Sequence, residues 1–326
     1  MDQQRFNEIT GQFQEQSILV VGDLMLDQYF WGKAERISPE APVPIVRIES
    51  INNMPGGAGN VALNLAQLNC RTRIVGLIGD DEQGKKLTEK LDQAGIATNG
   101  LTVCLGRPTT VKTRIIAQNQ QILRTDREEL SPIDSGWVEK LIQQVIKAIP
   151  DSDGIIIADY DKGVLSKAMI VNLLEEASNN DVPVYVDPKT SNFFTYQNIR
   201  LFKPNKDEFL NALGTTDNTE SEFKLLGEEL VHRLNAEIVM VTLGDKGVSL
   251  FYNDEFHTIS TKARKVHDVT GAGDTMIAVF TLADLTGASP VESAQIANYA
   301  AGRVIAEVGA VPINHQMLHE IFDSHL

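Results

Sequence analysis

The stretch Asp268-Val-Thr-Gly-Ala-Gly-Asp274-Thr-Met276 has residue types and spacing that could do chemistry. It joins a polar, glycine-rich turn to an apolar run that continues through Phe280, so a helix is predicted to begin near Ala272. Small residues at Gly271, Ala272 and Gly273 leave successive backbone N–H groups uncovered. At a helix N-terminus those groups lack intrahelical partners and sit at the positive end of the dipole, which suits a phosphate. A carboxylate at Asp274 repels such an anion and is out of place as its binder. It makes sense as a general base that takes a proton from a hydroxyl attacking phosphorus. The expected chemistry is phosphoryl transfer to a small molecule. The plainer alternative is a loop shaped by two glycines, with Asp274 capping a buried helix.

Other groups have the composition to serve that reaction. Pro55-Gly-Gly-Ala-Gly-Asn60 reads as a second glycine-rich helix start. Gly56 and Gly57 would admit a ligand closely, and Asn60 offers a sugar both a donor and an acceptor; a plain turn is the alternative. Asp23 and Asp27 follow the first predicted strand and suit neighbouring hydroxyls of a polyol, or else a solvated turn. Asn205 and Glu208 have N-x-x-E spacing. That pattern serves Mg²⁺ and its waters near nucleotide phosphates, or a helix capping box, and the two uses are compatible. Lys112, Arg114, Arg124 and Lys189 border the presumed cleft and are the cations available to a substrate phosphate, with a solvated surface role as the alternative. Gly79 to Lys85 matches the first part of a P-loop, but Lys86 stands where Ser or Thr is required. Asp80, Asp81 and Glu82 would also occupy the phosphate's place, so a helix start is expected there.

The elements that must position these groups alternate. Ile18 to Val21, Ile74 to Ile78, Ile155 to Ala158, Val184 to Val186, Leu201-Phe202 and Ile238 to Thr242 are apolar runs of buried-strand type. Predicted helices lie between them: Gly57 to Leu68, Glu82 to Ala94, Lys167 to Ser178, and two near Asp207 and Phe223. Val248 to Tyr252 and Phe256 to Ile259 read as a hairpin, and two long helices, Gly273 to Leu285 and Val291 to Glu307, follow. This order predicts an α/β fold of three layers, α/β/α, around a mostly parallel sheet with its site at the strands' carboxyl ends. Asp23, Asp159, Asp187 and Gly244 each fall just past such an end. Segments 29–51 and 110–125 fit no βα repeat and are expected to form a small β lid, serving also as a homodimer contact. Residues 1–326 are expected to be one domain.

Composition narrows the function classes. Twenty-nine Lys and Arg against 44 Asp and Glu give a net charge of −15, which argues against a nucleic-acid partner. Any phosphorylated substrate must then be gripped by locally placed cations. No run approaches a membrane span, and Cys70 and Cys104 stand alone without CxxC spacing. The histidines show no metal spacing, and a soluble cytoplasmic enzyme is expected.

In this order the motifs resemble the ribokinase (PfkB) family of carbohydrate kinases over nearly the whole chain. Gly56-Gly57 matches its N-terminal signature and Asp268 to Asp274 its C-terminal one. The resemblance implies Asp274 as catalytic base, Gly271, Ala272 and Gly273 as anion hole, and Asp27 as a sugar ligand. It implies ATP and Mg²⁺, with Asn205 and Glu208 at the phosphates and metal. Thr242, Gly244, Gly247 and Asn298 would line the nucleotide, and Asp268 and Thr270 would flank a monovalent cation such as K⁺. Within the family the chain is most similar to heptose-7-phosphate kinases of ADP-heptose synthesis. The segments that carry this are Gly22-Asp-Leu-Met-Leu-Asp27, Ser38-Pro-Glu-Ala-Pro-Val-Pro44, Thr109-Thr-Val-Lys-Thr-Arg114, Asn119-Gln-Gln121, Asp159-Tyr-Asp-Lys-Gly163 and Val186-Asp-Pro-Lys189. Asp23, Gly57 and Asn60 would then orient the heptose, and Lys112, Arg114 and Arg124 would receive its phosphate. Bifunctional members carry a further nucleotidyltransferase domain, which these residues are expected to lack, making a separate nucleotidyltransferase a pathway partner. Asn69, Gly59 and Val279 depart from the usual residues without touching a proposed chemical group. Two rivals stand beside this reading: a sister kinase for another sugar, phosphosugar or nucleoside, and a binding protein that has lost catalysis.

Overall fold

The computed structural model describes residues 1–118, 120–215, 219–261, 270–307 and 311–323, with the side chains of 321–323 excepted. In chain order the strands are β1 (Ser17–Gly22), β2 (Leu24–Ile37), β3 (Pro44–Gly57), β4 (Arg71–Gly79), β5 (Ala97–Cys104), β6 (Thr110–Ala117) and β7 (Gln120–Arg127). They continue as β8 (Gly154–Ala158), β9 (Val184–Asp187), β10 (Leu201–Phe202), β11 (Ile238–Thr242), β12 (Val248–Tyr252) and β13 (Glu255–Ile259). The helices are α1 (Gln3–Thr10), α2 (Ala58–Gln67), α3 (Glu82–Gln93), α4 (Ser135–Ala148) and α5 (Lys167–Asn179). After these come α6 (Lys206–Ala212), α7 (Glu220–Leu234), α8 (Ala272–Leu285), α9 (Pro290–Val304) and α10 (His315–Asp323).

Among the described residues the main sheet has nine strands in the order β13-β12-β11-β10-β9-β8-β1-β4-β5. Every pair from β11 to β5 is parallel, and the antiparallel β12–β13 hairpin closes one edge. The central strands are apolar throughout because both faces are covered. In β1, Ile18 and Val20 enter a core shared with α2, α8 and α9, while Leu19 and Val21 enter another under α4, α5 and α7. This gives the expected three layers. The helices that bear on the site lie on the first face, where α8 packs against both α2 and α9.

The small sheet has the order β3-β2-β6-β7. Its two long strands begin and end beside the main sheet: Leu24 pairs with Gly57, and pairing continues to Ile37 with Pro44. The motif at Gly56-Gly57 therefore finishes a strand before α2 starts, instead of forming a plain turn. Parallel pairing of β2 with β6 sets Asp27 beside Lys112 and Tyr29 beside Arg114. A little core of Tyr29 and Ile116, with Trp31 and Met54 against it, supports this sheet. Ile37, Val43, Ile51 and Leu123 remain exposed on it. The P-loop-like match is a helix start, as its acidic residues suggest: Asp81 caps α3 by accepting from the Gly84 N–H at 2.8 Å. No helix among the described residues is long and apolar enough to cross a membrane.

Candidate active site

Gly271 sits at φ 83° immediately before α8, a left-handed conformation that favours glycine. A Cβ there would also come within 2.7 Å of the Asn60 amide nitrogen. This approach lets Asn60, in the first turn of α2, donate to Asp274 Oδ2 at 2.7 Å. The other oxygen, Oδ1, accepts a hydrogen bond from the Tyr160 hydroxyl. Beneath them Asn64 donates to the Asn60 carbonyl at 2.8 Å and accepts from the Thr275 hydroxyl at 2.9 Å, so α2 and α8 are locked together at the site.

Asp274 is 5% exposed. Burial pushes its carboxyl up to about 6, opposed by the Tyr160 and Asn60 donors. The charge of Asp187 adds to the rise and that of Lys203 offsets it. Those two form a 2.9 Å ion pair, with Lys203 almost fully buried. They stand beneath the start of α8: a Cβ on Gly273 would lie 3.5 Å from Lys203 Nζ and 3.7 Å from Asp187 Oδ2. The result is a buried carboxylate held by neutral donors, beside uncovered helix N–H groups and a fixed cation. Such a group can accept a proton near neutral pH while an anion rests on the helix start.

Asp23 has different neighbours. Its oxygens accept from the backbone N–H groups of Tyr160 (2.9 Å), Lys162 (3.0 Å) and Val164 (3.1 Å). Burial pushes its carboxyl up to about 6, and these donors oppose the rise. Gly57, at φ 58°, stands against this loop, where its Cβ would lie 3.5 Å from the Tyr160 ring. Asp27 and Arg114 form a buried ion pair, and Gly56 leaves the room that Asp27 occupies. Lys112 and Arg124 both pair with Asp126, at 3.2 and 3.1 Å. The small sheet thus gathers Asp27, Arg114, Lys112 and Arg124, with carboxylates balancing the cations.

A further group lies past β10 and β11. Asn205 and Glu208 form a full capping box for α6, with bonds of 2.9 Å in both directions. The free oxygen of Glu208 pairs with Lys189. Asn205 and Thr242 are joined by a parallel bridge, which sets Gly244 and Gly247 beside the capped helix. Asn298, on α9, donates to the Ser260 carbonyl at 3.2 Å, and Gly247 lies against the same segment, where a Cβ would come within 2.9 Å of the Ser260 carbonyl carbon. Asp268 lies outside the described residues; Thr270 directly precedes the glycine turn. Lys189 stands 5.8 Å over the Tyr160 ring and so connects the capped helix to the base. Among the described residues no group of three or more His, Cys, Asp or Glu side chains gathers for a metal.

Tyr160 and Lys203 were not singled out from sequence. Lys203 directly follows β10 and Tyr160 lies two residues past β8, at the carboxyl ends where a doubly wound sheet builds its site; that rule, with the Asp159-to-Gly163 segment that contains Tyr160, could have marked them.

This fold and site define an enzyme that transfers a phosphoryl group to a sugar hydroxyl. Residues 15–317 match the family described as pfkB family carbohydrate kinase, and the chain belongs to that family. The bifunctional protein HldE of Helicobacter hepaticus is 41% identical over 298 residues, covering 91% of this chain and 62% of its own length. The chain therefore spans less than two thirds of that relative. Phosphofructokinase-2 from Escherichia coli, solved with substrates and products, superposes with a TM-score of 0.80 at 18% identity, covering 95% of this chain and 99% of that one. Arabidopsis thaliana ribokinase, complexed with ribose and ATP, gives 0.72 at 21% identity over 94% and 98%. These two likenesses concern the fold.

Proposed function

We propose that the chain transfers the γ-phosphoryl group of ATP to the anomeric hydroxyl of D-glycero-β-D-manno-heptose 7-phosphate, giving the 1,7-bisphosphate for ADP-heptose synthesis. The observation that carries the chemistry is the Asp274 carboxylate, buried at the start of α8 and held by Tyr160 and Asn60. Asp274 takes the proton from O1, O1 bonds to the γ-phosphorus, and the bond to the ADP oxygen breaks. Backbone N–H groups from Gly271 to Gly273 receive the charge of the group in flight. Asn60, Gly57 and Asp27 orient the sugar, and Asp23 serves by holding the Tyr160 loop. Arg114, Lys112 and Arg124 receive the 7-phosphate, exchanging their present carboxylate partners for it. Sharing the likeness to the bifunctional HldE relatives, the subgroup segments favour the heptose over other sugars.

Asn205, Thr242, Gly244, Gly247 and Asn298 take the nucleotide. The chemistry of Glu208 fits Mg²⁺, a hard cation that keeps several waters and binds through few carboxylates. When bound, the ion neutralises the phosphates; Asp268 and Thr270 are assigned to a monovalent cation. The small sheet acts as a lid that excludes water from the transfer, and its exposed Ile37, Ile51 and Leu123 fit a homodimer contact. A nucleotidyltransferase activity, in another domain or chain, is the pathway partner, and the setting is cytoplasmic.

The test is coupled ADP release with ATP·Mg²⁺ and the heptose 7-phosphate, beside fructose 6-phosphate, ribose and adenosine. Turnover confined to the heptose, with a 1,7-bisphosphate product, is the expected result. Preferred turnover of another acceptor would overturn the substrate and leave the Asp274 chemistry standing.

A further inference from the structure

We infer that Tyr160 is a positioning residue for the transfer: its hydroxyl holds the Asp274 carboxylate in one orientation and in its proton-accepting form. This rests on reading Asp274 as the base. The side chain could not do so from a mobile loop, and the loop is fixed from several sides. Asp23 accepts from three of its N–H groups. Asp159 accepts from the Asp161 N–H at 2.9 Å and from the Tyr196 hydroxyl at 2.6 Å. Arg107 donates to the Lys162 carbonyl at 2.9 Å, and Lys162 pairs with Glu128 at 2.8 Å. A donor held this firmly aims the carboxylate without having to be ordered when substrate arrives.

The hydroxyl remains a donor throughout the working range. Burial, and then the charges of Asp274, Asp187 and Asp27, keep the Tyr160 phenol well above its ordinary value. The groups facing Asp274 are Tyr160 from the loop after β8, Asn60 from α2, and the Asp187–Lys203 pair from β9 and the end of β10. Lys189 lies on the far side of the Tyr160 ring. Among the described residues, Tyr160 and Asn60 are the two that hydrogen-bond the carboxylate, one on each oxygen. Asn60 also carries the α2–α8 contact, so Tyr160 is the donor that can be altered with least damage.

A hydrogen bond to the charged form favours it, so its loss must raise the pH at which Asp274 protonates. In Tyr160→Phe the acidic limb of kcat/KM should move up by about one pH unit. The carbon-13 carboxyl resonance of Asp274, assigned with Asp274→Asn, should titrate higher by the same interval in the protein without substrate. Fluorotyrosine placed at position 160 keeps the shape and makes the phenol a stronger donor, so both readouts should move down. Concerted shifts in these directions support the proposal. A carboxyl titration unmoved in both variants overturns it while leaving the base in place, provided Asp274→Asn is inactive. Turnover retained in Asp274→Asn would instead overturn the base reading, and this inference with it.

Discussion

Helix α8 carries a buried aspartate near each end, and the two are held in opposite ways. Asp284 is gripped by Arg200, which donates to both oxygens at 2.7 and 2.9 Å, and by the Tyr185 hydroxyl at 2.7 Å. The grip keeps the Arg200 guanidinium even more firmly protonated than usual, chiefly through its hydrogen bonds to Asp284. Among the described residues Asp274 receives neutral donors only, and Lys203, whose charge acts on it, is already paired with Asp187. Each carboxylate meets a tyrosine hydroxyl, so the tyrosine is not the difference. The arginine is. Arg200 ties down both oxygens of Asp284 at the far end of the helix, which suits an anchor. One end of the helix is therefore built to fix α8 to β9 and β10, and the other to leave a carboxylate able to take a proton. Stability and reactivity are separated along one element.

The largest expected effect is on turnover. Asp274→Asn should lower kcat on the order of 10²–10⁴-fold while leaving sugar affinity and the folded state intact. Steady-state kinetics beside a thermal melt would read both quantities. Turnover close to the wild type would break the comparison at its reactive end. The reciprocal change, Asp284→Asn, leaves Arg200 without its main partner in a half-buried place. It should cost on the order of 3 kcal/mol in stability, measured by urea unfolding, and change kcat only a few-fold. A variant that kept its stability and lost activity would show that the anchoring end also shapes the site.

Much of this contrast was legible in the sequence at one end only. The glycine turn, the helix start and the aspartate after it are local signals, because they arise from conformational freedom and N–H exposure within a few residues. The strand pattern placed Asp23, Asp159 and Asp187 at the carboxyl ends, where the structure has them. What the sequence did not reveal was who partners whom. Tyr160 meets Asp274, and Asn60 meets the same carboxylate, across 114 and 214 residues of chain. Asp23 looks like Asp27 in sequence, yet it faces backbone N–H groups while Asp27 faces Arg114. The distinction comes from β2, which leaves the main sheet between them and carries Asp27 onto the small sheet. Asn205 and Glu208 were readable as a capping box because that arrangement is local.

The smallest effect sharpens the comparison most, because it separates two reasons for losing activity. Asp274 has its carboxyl raised from 3.8 in the unfolded reference to about 6 by burial. Between those values the folded state holds the proton more tightly than the unfolded state, so stability falls as pH rises from about 4 to about 6. The folded protein then carries an unfavourable buried charge at every higher pH. Asp274→Asn removes that charge, and should be more stable than the wild type above pH 6 by on the order of 1–2 kcal/mol. The difference should shrink as pH falls from about 6 to about 4 and be lost below that, where Asp274 is neutral in both states. Urea unfolding of the two proteins at pH 4 and pH 7.5 reads it directly. A gap that is absent at pH 7.5, or equal at both, would mean that Tyr160 and Asn60 offset the burial fully and that the reactive end carries no strain. The expected gap, joined to a stability loss in Asp284→Asn, would show the same residue type costing stability where it reacts and supplying it where it anchors.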